Sequence, residues 1–282
     1  MGILFFKQIA LLVWFSFVLI EFMHISLAAE PLFDIFGFTV TNSLLVSFVV
    51  TILLIIIAFS ISNNISKKTS RFRAIVEDFF TFMLDLADSV GGKGARDFVP
   101  LVLTFFFFIL LSNWLGLLPG FGSIFLEKVV HGEHEKIPLL RGATADLNTT
   151  LALALVSVFA IQYYGVSRLK LPYFKRFFNF SNPVDFFTGI LELISEFAKI
   201  ISFSFRLFGN VFAGEVLLAV VMSLVPVIAP LPFFGLEVFV GFIQALVFAM
   251  LTLVFIQLAT AGHGESSNHE GHEMGREVDY GN

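Results

Sequence analysis

The stretch that decides the fold is residues 182–225, NPVDFFTGILELISEFAKIISFSFRLFGNVFAGEVLLAVVMSLV. Asn182 suits an N-cap, Pro183 suits the first helical position and Asp185 falls in the first turn, so a helix is expected to begin here. Pro226 ends the apolar run. About 40 residues at about 1.5 Å each make a helix of about 60 Å, roughly twice the thickness of a bilayer's hydrocarbon layer. Such a helix must tilt strongly, bend or lie partly along the membrane.

Composition indicates that the whole chain belongs in a membrane. Its 282 residues are 57% hydrophobic and 14% charged, whereas soluble domains average about 25% charged residues. One buried core cannot hold this apolar excess, so lipid must be the solvent for much of the surface. The net charge of −5 argues against nucleic-acid binding, and the absence of cysteine excludes disulfides and thiolate metal sites.

The apolar stretches predict an all-α membrane protein. A helix needs about 20 apolar residues to cross the hydrocarbon layer. We therefore predict about five membrane-embedded helices in one domain, 30–262, near residues 40–61, 98–118, 147–165, 184–225 and 233–261. The last two form a long, tilted helical hairpin, and Pro226, Pro230 and Pro232 are expected to keep their connection non-helical.

Basic residues in short loops predict the orientation, because they concentrate on the cytoplasmic side. The loops after the first and third spans are therefore expected to be cytoplasmic. The mixed-charge loop 120–145 fits the outer side. Between the first two spans, apolar residues recur at spacings of three and four from Phe72 to Val90. This spacing predicts an amphipathic helix on the cytoplasmic surface, closed by Gly91 and Gly92.

The N-terminal residues 1–29 permit two interpretations. Lys7 and the apolar run 9–20 resemble a secretory signal peptide. Glu21 and His24 suit that interpretation poorly, and an extra membrane segment is the alternative.

The tail, residues 263–282, is polar and expected to be disordered. Its three histidines stand among Glu, Ser and Gly, and we interpret them as solvated side chains rather than metal ligands. They are His263, His269 and His272. No metal and no other cofactor is expected.

Ionisable residues within the long hairpin are the candidate functional residues. A charge at mid-membrane costs at least about 2.5–3.5 kcal/mol, so such residues usually face protein or water. At about 100° per residue, five polar residues of the first helix fall within about 40° of one another and form one stripe. The stripe consists of Glu192, Ser195, Lys199, Arg206 and Asn210.

Two carboxylates are displaced from this stripe. Glu215 lies nine residues beyond Arg206, on the opposite face of the helix and about 13.5 Å further along its axis. On the next helix, Glu237 and Gln244 share a face. Such groups commonly mark paths for ions or protons. An Arg206–Glu237 ion pair with only a structural role is the alternative.

Several segments resemble subunit a of the F-type ATP synthase. The most specific is SFRLFGNVFAGE at 204–215, which resembles the signature of that family. Five further motifs occur along the chain in the same order as in the family, and the resemblance runs from about residue 24 to 260. These motifs are HISL at 24–27, TNS at 41–43, NWLGLLP at 113–119, DLNTTL at 146–151 and QALVF at 244–248.

The resemblance implies a non-catalytic stator subunit beside a rotating ring of c subunits. The Arg at position 206 would face the carboxylate of each passing c subunit, between two offset aqueous half-channels. The other implied partners are the b-subunit peripheral stalk, the rest of the complex and the lipid bilayer. A bacterial plasma membrane is the expected location, with an organellar energy-transducing membrane as the alternative.

Position by position, the resemblance also implies roles for individual residues. Asn210, Glu215 and Gln244 match channel and Arg-partner positions, and Glu237 stands where some members carry His and others Glu. Which of Glu215 and Glu237 is the main relay stays open. Lower-ranked positions are Asp146 near the outer opening, and Glu192, Ser195 and Lys199 near the inner one.

Two other classes of function fit parts of the sequence. A self-contained secondary transporter could use Arg206 to bind an anionic substrate, but it should contain inverted repeats, and none is visible in the sequence. A membrane scaffold with only a structural role would not need the polar stripe. Proton translocation is therefore the leading hypothesis.

Overall fold

The structure, a computed structural model, describes residues 29–35, 38–65, 71–92, 94–118, 125–130, 133–175, 177, 182–224 and 229–261. The interpretations of the first 28 residues and of the polar tail lie outside these ranges. Within them the chain is mainly helical. The helices are α1 (Asn42–Ile65), α2 (Arg71–Gly91), α3 (Val99–Gly116), α4 (Leu147–Leu169), α5 (Leu171–Lys175), α6 (Pro183–Leu224) and α7 (Pro230–Thr260).

Among the described residues, five helical segments are long and apolar enough to cross a membrane: Asn42–Asn63, Ala95–Gly116, Leu147–Leu169, Pro183–Leu224 and Pro230–Thr260. These segments correspond to the five predicted spans, so the predicted all-α membrane fold is confirmed. The third span continues four residues beyond its predicted end at 165.

The longest helix, α6, runs without interruption for 42 residues. It begins at Pro183, as the sequence predicted. The Phe186 N–H donates to the Asn182 carbonyl at 3.0 Å, which is the first hydrogen bond of the helix. The Asn182 side chain donates to the Asp185 carboxylate at 3.2 Å and so ties the first turn together. The helix ends at Leu224, just before Pro226.

The beginning of α7 differs from the prediction. The helix starts at Pro230 and contains Pro232 in its first turn, so these prolines do not keep the chain non-helical. N–H groups in the first turn of a helix have no intrahelical acceptor, and proline therefore loses no hydrogen bond there.

The amphipathic helix α2 is present as predicted from the spacing of its apolar residues. Met83 and Ala87 are buried, and the Phe79 ring lies 6.1 Å from that of Phe106. The helix ends at Gly91, and Gly92 has a positive φ of 67°. Only glycine adopts that backbone conformation without strain.

Two β-hairpins were not predicted from the sequence. Strand β1 (Pro31–Ile35) pairs antiparallel with β2 (Phe38–Thr41), and β3 (Phe125–Val130) pairs antiparallel with β4 (Glu133–Pro138). The Asn42 side chain donates to the Pro138 carbonyl at 3.2 Å, which joins the start of α1 to the end of β4. Two-stranded hairpins are marginal on their own, so their formation depends on such tertiary contacts.

The chain forms two compact units. The first contains residues Met1–Asn63, Phe107–Leu151 and Ser204–Leu246. Its fully buried residues Val46, Val50 and Ala143 form a core. Partly buried apolar residues pack around this core: Leu54, Phe108, Leu111, Leu115 and Leu140.

The second unit contains residues Asn64–Phe106, Ala152–Phe203 and Val247–Asn282. Its aromatic core centres on Phe248, whose ring lies 5.6 Å from that of Phe105 and 5.0 Å from that of Phe203. The buried hydroxyls of Ser157 and Thr252 are hydrogen-bonded at 2.8 Å and join α4 to α7.

We predict that Gly165→Ala destabilises this second unit. A Cβ at Gly165 would lie 2.5 Å from the Tyr173 ring, whose hydroxyl donates to Gln162 at 2.6 Å. Relieving the overlap should cost about 1–3 kcal/mol, seen as a lower thermal-unfolding midpoint in detergent. Gly235→Ala is the matched control, because no atom lies within 4 Å of its Cβ position. Equal midpoints for the two variants would contradict this account.

Candidate functional site

A cavity in the first unit brings together three of the predicted functional residues. Asn210, Glu215 and Glu237 line it, together with residues of α3 and α7 and with Gly142. The space in which the centre of a water molecule fits is about 20 Å³. A single water needs about 10–15 Å³ measured in this way, so the cavity has room for about one. The cavity is therefore a narrow polar space between two acids.

Glu237 lies directly against α6. A Cβ placed on Gly214 would collide with the Glu237 carboxylate. The carboxylate thus occupies space that is free only because residue 214 is glycine. Gly214 precedes Glu215 in the chain, so the same turn of α6 contacts one acid and carries the other.

Glu215 faces a cation that the sequence did not reveal. The Arg141 guanidinium nitrogen Nη2 lies 3.8 Å from Glu215 Oε2, and the side chains are 11% and 30% exposed, respectively. This separation is too long for a hydrogen bond but close enough for the two charges to interact. A Cβ on Gly142 would lie 3.6 Å from Glu215 Oε1. Arg141 and Gly142 therefore both lie close to the Glu215 carboxylate.

Asn113 ties that segment to two helices. Its side-chain amide donates to the Gly241 carbonyl at 3.1 Å, and its oxygen accepts from the Thr144 hydroxyl at 2.6 Å. Beside it, the Trp114 indole donates to the Val238 carbonyl at 3.1 Å. Both residues belong to the NWLGLLP motif, whose polar side chains thus fix α3, α7 and the 140s segment around the cavity.

Asp146 does not line the cavity and sits at the start of α4. It is 3% exposed and accepts hydrogen bonds from the Ser43 hydroxyl at 3.1 Å, the Thr149 hydroxyl at 3.3 Å and the Asn148 N–H at 3.3 Å. These contacts are those of an N-cap that also anchors α1. A role for Asp146 near a channel opening stays a prediction.

Arg206 and Gln244 lie apart from the residues that line the cavity. Arg206 is exposed on α6, next to the exposed Phe205. Nothing lies within 4 Å of the Cβ position of Gly209, one turn further on. Gln244 is buried, and its Nε2 has no hydrogen-bond partner among the described residues. On the continuous helix α6, Arg206 and Glu215 are nine residues apart and therefore lie on opposite faces, whereas Glu237 belongs to α7.

In the second unit, Lys199 of the predicted stripe pairs with a residue outside that stripe. Lys199 Nζ lies 2.7 Å from Glu196 Oε1 and 4.7 Å from the centre of the Phe255 ring. Glu196, which is 8% exposed, was not assigned to the stripe. Glu192 is half-buried and Ser195 is exposed. Lys199 therefore has both a charge partner and an aromatic contact within this unit.

Sequence reasoning missed Arg141 as a site residue. It was counted only as one charge of a mixed loop, and its contact with Glu215 spans more than 70 positions in the chain. No periodic pattern predicts such a pair. Within the described parts of the chain, no group of three or more His, Cys, Asp or Glu residues could hold a metal ion.

We predict that Asn113→Ala destabilises the first unit. The substitution removes the donor to Gly241 and leaves the Thr144 hydroxyl without its buried acceptor. A buried polar group left unsatisfied costs about 1–3 kcal/mol, measurable as a lower unfolding midpoint in detergent. The exposed Asn63 provides the control Asn63→Ala. If both variants unfold at the wild-type temperature, the proposed stabilisation of the first unit by the Asn113 hydrogen bonds is wrong.

In a comparison with protein-family models, residues 44–257 match the family described as ATP synthase A chain. The match covers most of the chain and includes the α6–α7 hairpin and every residue that lines the cavity. It places the protein in the membrane sector of the ATP synthase, as a multi-pass component of an energy-transducing membrane, with the catalytic sites in other subunits. The chain therefore belongs to the ATP synthase A chain family, which is subunit a of the F-type enzyme.

Proposed function

We propose that this subunit translocates protons by providing two half-channels to a rotating ring of c subunits. Arg206 is the fixed cation between the half-channels, and protons cross from one to the other only on the ring. The cavity with Asn210, Glu215 and Glu237 belongs to the outer half-channel. Glu192, Ser195 and Lys199 belong to the inner one.

The observation that carries this proposal is the separation of charges on α6. Arg206 is exposed, whereas Glu215 and Glu237 line a cavity with Asn210. Ionisable residues within membrane-spanning helices commonly mark ion or proton paths. The exposed face of α6 around Arg206, with apolar neighbours such as Phe205, is the surface along which a c-subunit carboxylate passes the cation.

The chemistry then follows from electrostatics. A fixed guanidinium favours the charged form of a c-subunit carboxylate that approaches it, so the proton leaves as the carboxylate reaches Arg206. The same positive charge repels protons and prevents their direct passage between half-channels. Each charge crossing about 100 mV supplies about 2.3 kcal/mol, so several protons together are needed to drive one ATP synthesis step.

Within the outer half-channel, the two acids are relay groups. Glu215 and Glu237 line one cavity, and a water between them would connect the two acids by hydrogen bonds. Gln244 lies on the helix of Glu237 with a buried amide donor that is not used by the described residues, and it is proposed to contact the Arg206 region. Asp146 is proposed to lie near the outer opening.

The partners proposed are the c-ring and the b-subunit peripheral stalk, in a bacterial plasma membrane. The c-ring is assigned to the exposed face of α6 that carries Phe205, Arg206 and Gly209. Co-purification of the chain with a c-ring and an ATPase head tests this assembly. Isolation of the chain without either would contradict it.

We predict that Arg206→Ala abolishes ATP-driven proton pumping. Without the fixed charge, the ring carboxylates lose the group that enforces proton release, and the two half-channels are no longer separated. Acidification of inverted membrane vesicles is the measurement, with subunit assembly checked by immunoblot. The matched control is Arg96→Ala, whose exposed side chain pairs with Asp88 at 2.6 Å and should leave pumping intact. Full pumping by an assembled Arg206→Ala complex would overturn the proposal.

Glu215→Gln should slow proton flux by about tenfold or more, because an amide cannot carry the proton that a general acid or base transfers. The measurement is passive proton conductance through the membrane sector after removal of the ATPase head. Glu77→Gln, at an exposed position paired with Arg73, is the control with the same chemical change. Wild-type conductance in Glu215→Gln would exclude Glu215 from the path.

A further inference from the structure

We propose that Arg141 is the positioning residue for Glu215. Its positive charge attracts the Glu215 carboxylate and favours its deprotonated form while Glu215 takes up and releases protons. The inference rests on the proposed function, because it names the group that orients one acid of the outer half-channel. It assigns different roles to the two acids of the cavity.

The first support is the distance between the two charges. Arg141 Nη2 lies 3.8 Å from Glu215 Oε2, with only 11% of the Arg141 side chain exposed. Little water separates or screens charges in such surroundings, so the attraction is stronger than on a surface. A closed charge-assisted hydrogen bond would bring the atoms to about 2.8 Å. At the observed distance of 3.8 Å the carboxylate is attracted to Arg141 but is not hydrogen-bonded to its Nη2. The oxygen therefore remains available to accept a proton.

The second support is that the backbone next to Arg141 is held in place. Gly142 packs against α3, where a Cβ on Gly116 would lie 3.1 Å from the Gly142 Cα. The Gly142 carbonyl accepts from the Ala145 N–H at 3.1 Å, and the Thr144 hydroxyl donates to Asn113 at 2.6 Å. A guanidinium is a permanent cation, and that of Arg141 projects from this fixed backbone segment.

The third support is the asymmetry of the cavity. Glu237 also lines it, but its carboxylate lies against Gly214. Among the described residues Glu237 makes no ion pair. Only Glu215 has a cation to offset the cost of a negative charge in partly buried surroundings. Arg141 thus offsets part of the cost of a negative charge on Glu215, and Glu215 is the main relay of the two.

The test is a double-mutant cycle on the assembled ATP synthase in inverted membrane vesicles. The variants are Arg141→Gln, Arg141→Lys, Glu215→Gln and the double variant Arg141→Gln/Glu215→Gln. Passive proton conductance after removal of the head is measured for each, and assembly is checked by immunoblot. Arg96→Gln, which removes an exposed arginine, is the control and should keep wild-type conductance, since surface ion pairs contribute little.

We expect Arg141→Gln to lower conductance by about tenfold, and Arg141→Lys, which keeps the charge, by less than about threefold. In the Glu215→Gln background, Arg141→Gln should change conductance by less than about twofold, because its partner is already gone. A merely structural Arg141 would lower conductance equally in both backgrounds. That result overturns the inference.

Two further outcomes also decide the question. If Glu215→Gln alone reduces conductance to background, the comparison of Arg141→Gln with Arg141→Lys decides, and equal losses contradict a role for the charge. Wild-type conductance in Arg141→Gln contradicts the inference alone, provided that Arg206→Ala still abolishes pumping. Full pumping in Arg206→Ala instead contradicts the proposed function.

Discussion

Hydrocarbon solvates charge poorly, and this cost constrains nearly every polar residue of the chain. Each ionisable side chain in a membrane-spanning helix needs another polar group or water beside it. Lys199 meets that need with Glu196 and Phe255, and Glu215 meets it with Arg141 and a cavity. Arg206 lies on the exposed face of α6, the face that the proposed function assigns to the c-ring.

Glycines and a side-chain amide place the segments that surround the cavity acids. Gly214 leaves the space that the Glu237 carboxylate occupies, and Gly116 of α3 lets the Arg141 segment approach that helix closely. Asn113 then joins this segment to α7 through two hydrogen bonds. A proton relay needs groups held at fixed separations, and rigid helices linked by buried hydrogen bonds meet that requirement.

Much of the fold was predictable because its signals are local. The length of each apolar run predicted the spans, and the Asn182-Pro183 pair predicted where α6 begins. Local signals failed where local rules have exceptions: Pro230 and Pro232 were assigned to a loop, although proline is well tolerated in a first helical turn. The strands Pro31–Ile35 and Phe125–Val130 were missed because short hairpins take their stability from tertiary contacts.

The sequence by itself determined that this is a membrane protein with a costly cation at Arg206, and it put Glu215 on the opposite face of the same helix. Both conclusions depend only on composition and on the period of an α-helix. Tertiary structure alone decided that Arg141 faces Glu215 and that Glu237 lies against Gly214. Such pairs depend on the register in which separate segments pack, and helical periodicity fixes the face of a residue but not its neighbour on another segment.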